Sequence, residues 1–391
     1  MTLETLHSFG GKADGAYPDG GFASDAAGTL YGIAGGGGSF DGNHCSDGCG
    51  TIFTFDPGNG KFATVHRFTA AEGLGPNAPL ASGGGKVFYG SAGAFEPSLS
   101  GGGGTIFEFD AGTNTLTVLY RLTGDNKGLI GPSSPVTLAN NGLYGGTMLG
   151  GSQHDGGIYR FDLKTKAFRR IYTFGGANAQ KLGDRLYLGM VVGKDGMLYG
   201  ATEGGGPKGS GVLFRIDPKT QLVTPLAAIS DPWGGSLSSP LAVGPTGEIF
   251  GTTAGGQTAP MCNGFCPGPG TVFKFNPKTL AFTILHTFDW DRDGVSSPDQ
   301  SIAIGANGAT LFGIADMSKG LTGAVYRMNL ASGKVTDVYD FTGIAPTENP
   351  ILVNAFSLAL RGGKIYGTTG IGGYTRKCGN TGCGTVFQLT P

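Results

Sequence analysis

The chain has 391 residues, 77 of them glycine, with only 14% charged residues and a formal net charge of −1. That balance excludes a nucleic-acid or anionic-membrane footprint, which needs clustered basic charge, and no apolar run approaches the roughly 18 residues of a membrane span. Abundant glycine without a strict third-residue period excludes collagen and points to a turn-rich all-β fold.

In chain order, the sequence opens on Glu4-Thr5-Leu6-His7-Ser8-Phe9, a short predicted strand with no recognisable export signal before it, which reads as a mature form. An aromatic-glycine step then recurs seven times: Leu30-Tyr31-Gly32, Phe88-Tyr89-Gly90, Leu143-Tyr144-Gly145, Leu198-Tyr199-Gly200, Ile249-Phe250-Gly251, Leu311-Phe312-Gly313 and Ile365-Tyr366-Gly367. Adjacent copies lie between 51 (Gly200 to Gly251) and 62 (Gly251 to Gly313) residues apart. Before each step comes a strand of small residues, often opened by proline, as in Pro240-Leu241-Ala242-Val243. After it come a glycine-rich loop, a strand such as Gly270-Thr271-Val272-Phe273, and a further strand such as Leu285-His286-Thr287-Phe288. One repeat is therefore four short strands, the pattern of a propeller blade. The last repeat, Lys364 to Pro391, stops after its third strand, and Thr5 to Phe9 matches the missing fourth. The expectation is a single domain over residues 1–391, an all-β seven-bladed β-propeller of four-stranded blades, closed when the N-terminal strand completes the last blade. Such closure removes an open sheet edge.

The six cysteines fall into three close pairs, Cys45/Cys49, Cys262/Cys266 and Cys378/Cys383, each inside one glycine-rich loop. Local disulfides and an oxidising compartment are the favoured reading. Zinc is the rival, and it would require two pairs to meet in space. The connections between first and second strands, and between third and fourth, are short. The long loops join strands two and three and lead from blade to blade. Both long sets emerge on one face, where binding and catalysis are expected.

The unit formed by Ile365-Tyr366-Gly367-Thr368-Thr369, Gly270-Thr271-Val272-Phe273 and Leu285-His286-Thr287-Phe288 resembles the tandem repeat named for Gloeobacter and Verrucomicrobium proteins. The resemblance covers essentially the whole chain, with copies four and six departing most. It implies a secreted or cell-surface bacterial protein and carries no catalytic set that could be transferred.

Residues that recur in every blade serve the blade, so the informative ones break the repeat. His7, His66 and His286 share one strand position and read as structural, as does the aromatic of each step. His44 and His154 instead lie in long loops between second and third strands, where most copies carry only glycine, serine or threonine. The segment before blade four lacks the usual proline and holds Lys181, Asp184, Arg185 and Tyr187. A His or Tyr base beside an Arg that neutralises a carboxylate is what β-elimination on a uronic acid needs. The stretch Asp289-Trp290-Asp291-Arg292-Asp293-Gly294 alternates carboxylates before a turn glycine, which suits Ca2+, although Asp293-Gly294 also matches Asp14-Gly15 and Glu72-Gly73 of other blades. Trp233 and Trp290, the only tryptophans, flank blade five and offer flat faces to sugar rings. Arg292, Glu348, Asn349 and His44 are polar candidates for the same surface.

Two classes of function follow. The first is a carbohydrate-active enzyme at the axis on the long-loop face. Lyase-type elimination by His154, Arg185, Tyr187 and Asp184 is favoured. Hydrolysis by carboxylates such as Asp184, Asp231, Asp291 or Glu348 is the variant. The second is a non-catalytic glycan-binding or adhesion module. Either way the expected partner is a polysaccharide or oligosaccharide bound by a monomer, with no required cofactor beyond Ca2+ at the aspartate stretch.

Overall fold

The computed structural model describes residues 1–390 apart from 19, 41–44, 77, 94–102, 123–127, 133, 152–153, 177–178, 230–234, 255–269, 319–322, 342–354, 374–377 and 380. The repeated sequence unit becomes a repeated antiparallel sheet, and seven such sheets are present. In blade one the strands are Ala23–Ser24, Leu30–Ala34, Thr51–Asp56 and Lys61–Arg67, hydrogen-bonded in chain order from the axis outward. Blades two to six repeat that order, with one additional short strand in blade three. In the seventh sheet Ala355–Arg361, Lys364–Thr369 and Thr385–Thr390 are completed by Thr2–Ser8, with Thr2 opposite Thr390 and Ser8 opposite Thr385. The ring closes as expected from the sequence. The only helices among the described residues are the single turns Ala179–Leu182 and Trp290–Asp293.

The aromatic-glycine step has one steric cause in all seven blades. The glycine faces the aromatic ring of the third strand, and a Cβ there would sit 2.3 Å from Phe53 at Gly32, 2.3 Å from Phe107 at Gly90 and 2.3 Å from Tyr326 at Gly313. The other four blades repeat this contact. The aromatic preceding the glycine points between blades. Tyr31 packs on Phe88 with ring centroids 4.4 Å apart, and the Tyr144 hydroxyl donates to the Pro218 carbonyl at 3.1 Å. Buried rings of this size supply most of the apolar area that holds neighbouring blades together. At the opposite end, each hairpin between third and fourth strands is pinned by an Asx turn. Asp56, Asp110, Asp162, Asp217, Asn276 and Asn329 each accept the N–H two residues on, at 2.7–3.0 Å.

The shared histidine position is also explained. Each histidine of the outer strand meets the acid of the following loop: His7–Asp14 at 3.3 Å, His66–Glu72 at 3.3 Å and His286–Asp293 at 2.8 Å. The same acid accepts a backbone N–H where the strand ends, from Gly10, Thr69 and Asp289 respectively. The three histidines are thus clasps, as their recurrence implied. Burial pulls His7 below the ordinary imidazole range although Asp14 opposes it.

Disulfides join Cys45 to Cys49 and Cys378 to Cys383, with Cα–Cα distances of 5.1 and 5.3 Å. Cys262 and Cys266 lie outside the described residues.

Candidate active site at the axial cavity

A cavity of about 790 Å³ opens at the axis, lined by residues in or just before the inner strands and just after the second strands. That is the end of the ring where the long loops emerge. All seven blades reach it, but unequally. Blades one to three contribute Gly21, Phe22, Ala78, Pro79 and Pro135, and blade seven contributes Ser357 and Leu358. Among the described residues the ionisable lining comes from blades four and six, as Arg185, Tyr187, Glu203 and Asp299.

Blade four builds its part from a turn that the repeat already possesses. Arg185 has φ 55°, the left-handed value that Tyr17, Gly75, Gly131 and Ser297 adopt at the same place in their blades. The kink is stabilised across the strand gap: Asp184 N–H donates to Gly204 O at 2.9 Å, Glu203 N–H to Arg185 O at 3.1 Å and Thr202 Oγ1 to Leu182 O at 2.8 Å. These bonds bring Arg185 and Glu203 side by side. Arg185 Nε lies 3.3 Å from Asp184 Oδ1 and 3.8 Å from Glu203 Oε2, and that Glu203 oxygen is buried with no hydrogen-bond partner. Burial pulls the Arg185 guanidinium down, but Glu203, Asp184 and Tyr187 together hold it above its ordinary value.

Blade six places acids at the register positions of Tyr187 and Glu203. Its inner strand Val295–Ile304 carries a bulge between Asp299 and Ile302, with Gln300 at φ 66°. Asp299 sits opposite Ile314, so Asp316 is its diagonal neighbour on the second strand, close enough for their side chains to meet. Two desolvated carboxyls this close perturb each other and favour one shared proton between them. Desolvation, with the Asp299 charge next, pushes Asp316 up to about 7. Asp299 is also raised by burial, although it accepts the Gln300 N–H at 2.6 Å. Between these two blades, the described residues that blade five presents are Ser236, Leu237, Ser238, Pro240 and Ala254. Ser238 Oγ is occupied by the Pro298 carbonyl at 2.8 Å.

Three of the four residues expected to be catalytic are therefore assembled here, namely Asp184, Arg185 and Tyr187. His154 is not part of the cavity lining. It is exposed, at φ 62°, in the loop after Gly142–Gly150, with its N–H on Gly151 O at 3.4 Å. Trp290 is half-buried on the one-turn helix Trp290–Asp293 and also stands apart from the lining. The carboxylates expected to hold Ca2+ are used locally. Asp289 caps that helix by accepting the Arg292 N–H at 3.0 Å, and Asp293 takes His286, the Arg292 guanidinium at 2.9 and 3.0 Å, and the Asp289 N–H. Arg292 also donates to the Thr287 carbonyl at 2.6 Å. Burial would raise Asp293, and these donors reverse that and hold it below the usual carboxylate range. Asp291 is exposed, and among the described residues no three potential ligands converge on a metal position. His44, Trp233, Asp231, Glu348 and Asn349 lie outside the described residues.

Glu203, Asp299 and Asp316 were missed in the sequence, yet a signal was available. Three residues past each step glycine stand Gly35, Gly93, Met148, Glu203, Ala254, Asp316 and Gly370. Only blades four and six place an acid there. One turn earlier, Tyr187 and Asp299 share a register position that blade five fills with Ser238.

The class defined by these features is a closed seven-bladed propeller with one asymmetric, ionisable axial pocket. The chain belongs to the Gloeobacter/Verrucomicrobia repeat family, whose profile matches residues 91–320, more than half of its length. No curated protein sequence matches it. Solved structures of similar fold include the extracellular domain of a proposed one-component system from B. thetaiotaomicron (TM-score 0.58, 13% identity), where the match covers 99% of this chain and 40% of that one. A GH74 xyloglucanase from Xanthomonas campestris matches with TM-score 0.57 and 14% identity over 94% of this chain and 52% of that one. A proposed 6-phosphogluconolactonase from Bacteroides fragilis matches with TM-score 0.52 and 14% identity over 83% and 84%. This chain thus spans less than half the length of the one-component-system domain. At such identities the likeness establishes the fold alone. Among the described residues no helix is long and apolar enough to cross a membrane.

Proposed function

We propose that this protein is an exported carbohydrate-active enzyme that cleaves glycosidic bonds in the axial cavity on the long-loop face. One observation carries the reading. Among the described residues, the ionisable groups lining a cavity built by seven blades are concentrated on blades four and six, at positions where the repeat is broken. A binding module exploiting its symmetry would repeat one pocket around the ring, whereas a reaction needs one unlike set of groups at one place. Two disulfides support an oxidising compartment. A propeller of similar fold acting on xyloglucan supports the scaffold's suitability, though not the substrate.

The elimination expected from the sequence retains Tyr187 as base and Arg185 as neutraliser. Its difficulty is that Arg185 already faces Asp184 and Glu203. The test is a screen of neutral and uronate-containing polysaccharides, read both as new reducing ends and as the ultraviolet absorbance of unsaturated uronate. Product of either kind is expected. Absence of product from every polysaccharide, with retention on a glycan array, would replace this reading with the binding module.

A further inference from the structure

We infer that Asp299, held by Asp316 on the wall of the axial cavity, is the general acid for hydrolysis of a neutral glycan, with Glu203 across blade five as the second carboxylate. The inference rests on the glycan-cleaving reading above and narrows it to a reaction and a substrate class.

The geometry has three parts. Asp299 lines the cavity, and Asp316 is its diagonal neighbour on the adjoining strand. Such a pair shares one proton because two adjacent anions cannot both persist in a partly desolvated site. Glu203 lines the same cavity from blade four, with a buried oxygen that no donor satisfies. Between them blade five contributes the small side chains of Ser238 and Ala254 to the wall. Charge decides the substrate class. Arg185 is the cation on the lining, and Asp184 and Glu203 both face it, while the aspartate pair adds a further negative charge. Among the described residues the wall is net anionic, which repels a polyuronate and tolerates a neutral chain.

The step balances with water as the co-reactant. The proton of the aspartate pair passes through Asp299 to the glycosidic oxygen as its bond to the anomeric carbon breaks. The water oxygen forms the new bond to that carbon and gives its proton to Glu203. The leaving sugar departs as an alcohol, and solvent exchange returns the proton to the aspartate pair. Asp299 is the catalytic residue here, and Asp316 is a positioning residue that shares the pair's proton with it.

The test uses the full chain on xyloglucan, mixed-linkage glucan, xylan and mannan, with alginate and polygalacturonate as charged controls, and on dinitrophenyl glycosides of the sugar released. Wild type is expected to yield reducing ends from a neutral polymer and no unsaturated uronate. Asp299→Asn and Asp316→Asn should each lower kcat on the polymer by about 100-fold or more, with KM little changed. Both should keep most of their rate on the dinitrophenyl glycoside, whose leaving group needs no proton, a selectivity that a merely structural defect would not produce. Full polymer turnover by either variant, or unsaturated product from wild type, overturns this inference and leaves the glycan-cleaving reading standing. Wild type inert on every glycan overturns both.

Discussion

Two acid-rich regions of this molecule lie close in sequence and behave oppositely. The loop entering blade six carries Asp289, Asp291 and Asp293, and the inner part of the same blade carries Asp299 and Asp316. In the loop, Asp289 and Asp293 are matched to donors: a helix N-terminus, a histidine, a guanidinium and a strand-end N–H. Asp293 is consequently held below the ordinary carboxylate range. At the axis the two acids are matched to each other, and Asp316 rises to about 7. The denser motif in sequence is the structural one. The sparser pair, 17 residues apart (299 to 316), is the reactive one. A carboxylate's role is set by its partner and its solvent access, not by how many acids surround it.

The contrast can be broken most directly at Glu203, which shares the cavity with Asp299. Glu203→Gln is expected to lower kcat on a neutral polymer by about 100-fold while leaving the melting temperature within error. Steady-state kinetics and calorimetry on one preparation check both halves. Asp293→Asn should do the reverse. It weakens the clasp on His286 and Arg292, costs about 1–3 kcal/mol of unfolding free energy in a denaturant titration, and leaves the turnover of the folded fraction intact. A large activity loss in Asp293→Asn without a stability loss would return the loop to the functional site.

Asp316 sharpens the comparison through pH. Its carboxyl lies at about 7 in the folded chain against an ordinary 3.8, so folding favours the protonated form. The associated stability is present in full below about pH 4 and is lost as pH rises through 7. Asp316→Asn removes that dependence. It should therefore stabilise the protein at pH 8 by about 1 kcal/mol or more, with little effect at pH 4, in paired thermal melts. A gain of equal size at both pH values would mean that the aspartate pair carries no shared proton. The smallest effect belongs to the clasp of blade two. His66→Gln should cost about 0.5–1.5 kcal/mol, because the amide can still reach Glu72 at the 3.3 Å site.

Most of the architecture was legible without coordinates. The aromatic-glycine step is forced by a ring of the third strand lying over the glycine of the second, so it survives in all seven copies. Strand order within each blade, and the completion of the last blade by Thr2–Ser8, followed from matching the copies. The structural role of the three histidines was also readable, since they share one strand position, while their acid partners came from the structure. The site was only half legible. Asp184, Arg185 and Tyr187 stood out as a local break in the pattern, and the structure places Arg185 and Tyr187 on the cavity wall with Asp184 bonded to Arg185. His154 stood out equally, and its loop carries it away from that wall. A break in a repeat marks a residue as unusual without saying which way its side chain faces.

What the sequence alone determined is the number of blades, their strand order and the face on which long loops gather, because each depends on short-range packing repeated many times. Tertiary structure decided the partners. Asp299 and Asp316 meet diagonally across two strands, and Glu203 reaches the same cavity from a blade two positions away. Register, bulge and ring closure set those encounters, and each acid acquires its chemistry only from the group it is brought to face.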